Sequence, residues 1–386
     1  MSLYDLSDFF RLSSALNYNL SAESLNRYNV LMFLLGGKPL DHDEEKDRFK
    51  KSILMEALNY LFNAYQQKRR RLGPMAVLHP LRSTALLVRS LKNPKMIDIL
   101  TSLFHDILED IKTSDYDKAR WRALEEQVYR LMERLDEKTE EALIGRMFFL
   151  TRKDRESYYH YIERLLDGAI GLPELVQTKL ADRLDNTLDM RIDLQDPLEG
   201  VDFFQNIFQM LFVNTYKGYT PLMMHPPPAA IRGELRLFQL FKNVVMLSLV
   251  RQKPGIADDE TSQTLFNAIC EASLKEAQRS YVHLVGYHHT DIASQRGLLL
   301  DAMRYCYSGK SEIVTRPDDH QLLDGLFTTY FGHTSKKVRE ERLGILYQNK
   351  PLMMQASIAF IVIFLSFMND PGFFVHGISP DGIHPG

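Results

Sequence analysis

Cysteine is nearly missing from this chain. Cys270 and Cys306 are its two thiols in 386 residues. They have no paired metal-ligand spacing and cannot form a disulfide framework for a protein of this size. A reducing, cytoplasmic setting is the expectation. An excess of either charge is also lacking, with 47 Lys and Arg against 50 Asp and Glu and a formal charge of −3. No net field draws the protein to nucleic acid or anionic lipid, so an anionic ligand must be held by local basic groups. Nucleic acid is not expected as a partner. The most apolar stretch, Ala356 to Met368, falls short of the ~20 residues a membrane-spanning helix needs, and reads as a buried helix. Met1 to Leu20 carries Asp5 and Asp8 in place of the basic segment, apolar core and cleavage site of a secretion signal. A phosphate loop, a dinucleotide fingerprint and a nucleophile elbow are absent too.

What remains is globular and helical. Apolar residues make up 45% and charged residues 25%, the balance of a chain that buries a core. Ile53, Leu54, Ala57, Leu58, Leu61 and Phe62 recur at three and four residues within Asp41 to Tyr65, which predicts one buried helical face. Further helices are predicted over Leu81 to Leu91, Met96 to Ile111, Trp121 to Leu150 (one long or two shorter), Glu156 to Leu166 and Leu175 to Met190, with a turn from Gly168 to Pro173. Beyond Tyr216 the texture changes at Gly218, Pro221 and Pro226-Pro227-Pro228, residues that break helices and favour an extended connector. Helical patterns resume over Ile231 to Leu249, Ser262 to Leu284, Gln295 to Tyr307, Gln321 to Tyr330 and Lys336 to Met368, and the tail after Pro371 reads as irregular. The expected fold is all-α: an N-terminal helical extension over 1–45, a helical core over 46–216 and a C-terminal helical accessory unit over 217–386. That last unit offers a surface for a homo-oligomer or a protein partner.

Chemistry-bearing residues arrive in four groups: His79-Pro80, His105-Asp106, Glu109-Asp110, and Lys179 through Asp182 to Asn186. On the helix predicted over Met96 to Ile111, His105 shares a face with Glu109 and Asp106 with Asp110. Asp182 and Asn186 pair likewise. A His-Asp step alone is ordinary, but carboxylates at 106, 109 and 110 interrupt an otherwise apolar helix and need a compensating cation. Two imidazoles and two carboxylates suit Mn²⁺, Fe²⁺, Zn²⁺ or a related divalent ion rather than Ca²⁺. Such an ion acidifies water, and Glu109 and Asp110 are placed to orient that water or take its proton.

The strings His79-Pro80-Leu81-Arg82, Leu103-Phe104-His105-Asp106-Ile107-Leu108-Glu109-Asp110 and Lys179-Leu180-Ala181-Asp182-Arg183-Leu184-Asp185-Asn186 resemble the RelA/SpoT-type HD hydrolases of guanosine tetra- and pentaphosphate. The resemblance spans about Ala64 to Met190. It implies a helical HD fold that binds one Mn²⁺ and removes pyrophosphate from the ribose 3′ position. By position it makes His79, His105, Asp106 and Asp182 the metal ligands, has Glu109 and Asp110 activate water, and has Asn186 support the site. Arg70, three residues before Gly73 and nine before His79, matches the family's guanine-stacking arginine, although Leu72, Met75 and Ala76 depart from the family pattern.

Arg152 and Lys153 are candidate phosphate contacts, and Tyr158 and Tyr161, three apart, are candidates either to face a nucleotide or to pack between helices. Lys179 joins the substrate side. The synthetase and regulatory regions of long alarmone enzymes are not recognisable. The reading is a hydrolase without a synthetase, acting on a purine nucleotide, with an adenine analogue, a 2′- or 3′-phosphorylated cofactor such as NADPH, or an antitoxin-like nucleotide sensor as alternatives.

Overall fold

The computed structural model describes residues 6–20, 25–66, 68–69, 75–154, 156, 158–189 and 233–288, with short pieces at 337–338, 341, 361, 378–379 and 382–383. These residues are helical, as the apolar periodicity implies, apart from one small antiparallel pair. The expected boundary near Tyr216 and the helices expected over Gln295 to Tyr307 and Gln321 to Tyr330 lie outside the described residues. The tail departs from expectation. Two-residue strands Ile378–Ser379 and Gly382–Ile383 pair there, with Ile378 opposite Ile383.

The chain divides into two compact units. One comprises Met1–Arg155, Arg164–Leu188 and Pro254–Ala268, the other Glu156–Glu163, Asp189–Lys253 and Ile269–Gly386. The first holds helices α1 (Leu6–Leu20), α2 (Leu25–Leu35), α3 (Glu44–Tyr65), α4 (Leu78–Ser90), α5 (Met96–Phe104), α6 (Ile107–Asp110), α7 (Lys118–Met132) and α8 (Glu137–Leu150). It continues with the latter part of α9 (Tyr158–Gly168) and with α10 (Glu174–Asp189). Helices α11 (Gly233–Arg251) and α13 (Glu260–His288) follow, separated by the single turn α12 (Pro254–Ala257).

Capping explains several boundaries. Asp43 accepts from the Glu45 and Lys46 amides and starts α3, three residues later than periodicity alone suggests. Asp117 and Asp136 cap α7 and α8 in the same way, so Trp121 to Leu150 resolves into two helices. At the Gly168 to Pro173 turn, Gly171 takes φ +87°, a conformation that costs glycine little.

Helices with one buried face lie outside, and helices buried on every side lie inside. In α7 the buried positions are Leu124 and Leu131. By contrast every residue from Leu78 to Val88 in α4 is buried, as is every residue from Asp98 to Phe104 in α5. From Leu175 to Asp189, α10 is buried except at Asn186. A helix buried all round lies at the centre of its unit. Helix α4 packs on α5, α2 and α1, and α5 packs also on α8 and α3. Lys38, in the loop after α2, donates to the carbonyls of Val88 and Leu91 at 2.8 and 2.5 Å and closes the end of α4. The central helices α4 and α10, with the two residues between α5 and α6, carry the site floor.

Candidate metal centre

Polar side chains on helices buried all round must find partners or an ion. His79 sits in the first turn of α4, and its Nδ1 lies 2.6 Å from Asp185 Oδ2 on α10. The same carboxylate accepts two bonds from Arg82, Nε at 2.7 Å and Nη2 at 3.1 Å. Asp185 is fully buried and, ion-paired with Arg82, acts as acceptor, so His79 carries its proton on Nδ1 and presents an unprotonated Nε2. His105 Nδ1 lies 2.7 Å from the Ser102 carbonyl. A carbonyl can only accept, so His105 also presents an unprotonated Nε2.

These two lone pairs face each other across 3.3 Å. Around them stand Asp106 Oδ2, 3.2 Å from each Nε2, and Asp182 Oδ1, 3.1 Å from His79 Nε2 and 3.8 Å from His105 Nε2. One ligand atom from each of the four residues lies within 4.8 Å of all the others. Such separations fit neighbouring vertices around an ion bonded at about 2.0–2.2 Å. Four acceptors brought together repel unless a cation joins them. Without an ion a proton must serve: burial alone would depress His105, but Asp106 and Asp182 outweigh it and raise its pKa to about 9. The neighbouring imidazoles hold Asp106 far below the usual carboxylate range against the opposing effect of burial. Asp182 is lowered too, despite burial, by Lys179 and the histidines.

Asp182 is held on both oxygens. Lys179 Nζ lies 2.7 Å from Oδ2, and Asn186 Nδ2 donates to Oδ1 at 2.6 Å. Both contacts follow from helical spacing of three and four residues.

The backbone at His105 and Asp106 corrects one expectation. Met96 to Ile111 is not one helix: α5 ends at Phe104, Asp106 has φ −103° and ψ 1°, and the single turn α6 begins at Ile107. Adjacent residues of a continuous helix point about 100° apart, so two neighbouring ligands can converge on one ion only if the helix breaks between its segments. Glu109 and Asp110 therefore reach the site from α6, not along the face of α5.

Both carboxylates lie at the exposed rim. Glu109 Oε1 accepts the Arg152 backbone N–H at 2.7 Å, and Asp110 Oδ2 accepts from the buried Tyr65 hydroxyl at 2.9 Å. Loss of hydration raises both above their ordinary pKa, helped by the charge of Asp106 and opposed by those same hydrogen bonds. Lys68 grips the Asp110 backbone carbonyl and pairs with Asp115 at 2.6 Å. The first member of the basic run is thus committed to holding α6.

Arg70 and Gly73 lie outside the described residues. Arg152 and Lys153 are exposed. Tyr158 and Tyr161 belong to the second unit. They stand side by side with ring centroids 6.2 Å apart and are 8% and 2% exposed, while Lys242 Nζ sits 5.7 Å from the Tyr158 ring centre.

Sequence reasoning missed Arg82, Asp185, Tyr65 and Lys68 as parts of this arrangement. A signal existed for the first: a lone arginine among Leu81, Ala85 and Leu86 demands a buried carboxylate. Comparison with family models, curated proteins and solved structures gives no match to this chain.

Proposed function

We propose that this protein is an HD-type metal-dependent phosphohydrolase that binds one divalent ion, Mn²⁺ for preference, and removes 3′-pyrophosphate from guanosine tetra- or pentaphosphate. The observation that carries the metal part is the facing pair of Nε2 atoms, each with a bond on the opposite ring nitrogen, flanked by two carboxylates. A bound divalent ion supplies Lewis acidity and makes water a nucleophile near neutral pH. The chain's residues do the rest. Glu109, its pKa raised by loss of hydration, is suited to take a proton at Oε2 while Oε1 stays on the Arg152 amide. Asp110 orients water from the same turn. Lys179, beside Asp182 and acting electrostatically on Glu109, offers positive charge to a phosphate, as do the exposed Arg152 and Lys153. The nucleotide and the scissile bond rest on the likeness of three sequence strings to the alarmone hydrolases.

The test is purified protein with Mn²⁺ against a panel of guanine and adenine nucleotides phosphorylated at 2′, 3′ or 5′, with NADPH included, following phosphate and pyrophosphate release. Turnover of guanosine 3′-diphosphate 5′-diphosphate, abolished by His105→Ala, is the expected result. Metal binding with no turnover of any member would replace the enzyme reading with a nucleotide sensor.

A further inference from the structure

Glu109 is held by a backbone amide, so something must hold that backbone. Helix α8 ends at Leu150, and its last carbonyls lack partners within the helix. Arg164, on α9 and in the same compact unit, supplies them: Nη1 donates to the Phe148 and Phe149 carbonyls at 3.2 and 3.3 Å, and Nη2 to the Thr151 carbonyl at 2.9 Å. Thr151 leaves the helix extended, with φ −85° and ψ 127°. Its carbonyl and the Arg152 N–H belong to one peptide group. That group is planar and rigid, with Arg164 on its oxygen and Glu109 Oε1 2.7 Å from its nitrogen. A cation on the oxygen also polarises the amide and strengthens the N–H as donor.

We propose that Arg164 is a positioning residue for Glu109, acting through the single peptide unit that joins Thr151 to Arg152. It fixes where one carboxylate oxygen sits, and so where the other points. A guanidinium suits the task because its planar fork spans three carbonyls, which an ammonium on a flexible stem does not. The geometric claim stands by itself, and its catalytic consequence rests on the proposed function.

Two measurements test it. Arg164→Ala, with Arg164→Gln as the milder variant, should speed hydrogen exchange at the Arg152 amide by about tenfold or more, with the amides of Leu81 and Leu184 unchanged. Unchanged exchange at Arg152, or a uniform rise through α4 and α10, overturns the proposal, the latter by showing a general structural role. On guanosine 3′-diphosphate 5′-diphosphate with Mn²⁺, Arg164→Ala should lower kcat about tenfold or more, at constant KM and metal content. In a Glu109→Gln background the same change should cost nothing further, because residues acting through one group are not additive. Additive losses overturn the proposal. If wild-type protein turns over no nucleotide, the enzymatic reading fails while amide exchange still decides this one.

Discussion

The floor and the rim of the candidate centre are held in different ways. On the floor, His79, Arg82 and Asp185 are buried and bonded side chain to side chain between α4 and α10. At the rim, Glu109 and Asp110 are exposed and fastened by a backbone amide, a tyrosine hydroxyl and a lysine on a carbonyl. The difference follows from dielectric. A buried ligand has no water to fall back on, so each polar atom is assigned a partner. A rim carboxylate keeps access to water, and these bonds tether one oxygen of each. On the proposed function the floor serves affinity and the rim serves chemistry.

The largest effect should come from breaking the floor directly. His105→Ala or Asp106→Ala removes one of four ligand atoms, and Mn²⁺ binding followed by calorimetry should be lost rather than weakened. Metal content equal to wild type in both variants would show the centre to be misassigned. Glu109→Gln is the corresponding blow to the rim: turnover should fall about 10²-fold, the usual range for an acid-base group, with metal content intact. A change confined to metal content would reverse the division between floor and rim.

Asp185→Asn sharpens the comparison, because Asp185 is not among the four grouped residues yet bonds His79 Nδ1 and pairs with Arg82. Affinity for Mn²⁺ should drop about 10- to 100-fold, as for other outer partners of metal-binding histidines, and excess Mn²⁺ should restore turnover. The smallest effect concerns pH. In metal-free protein the His105 pKa is raised to about 9 from an ordinary 6.5. Its contribution to stability is full below pH 6.5 and is lost as pH rises through 9. The Tm of chelator-treated protein should therefore decline over that interval, and excess Mn²⁺ should remove the decline. A flat Tm in chelator would show that no proton bridges the floor.

The helices themselves were legible. Apolar spacing located α3, α4, α9, α10, α11 and α13 to within a few residues, because a buried face imprints a 3.6-residue period on the sequence. The misjudged segment was Met96 to Ile111, where the period stays apolar through a break that convergence of His105 and Asp106 imposes. The four ligand positions could be named from their residue types, and the structure gathers them into one group.

Local pattern thus determined the all-helical class and picked out the four residues that come together in the candidate centre. Tertiary structure alone decided what holds them. Asp185 pairs with His79 across 106 positions and with Arg82 across 103, and Arg152 presents its amide to Glu109 across 43. Periodicity reports which side of a helix meets the core. It carries no record of which distant atom satisfies a buried polar group, since that depends on how separate helices stack and on backbone amides that every residue but proline possesses.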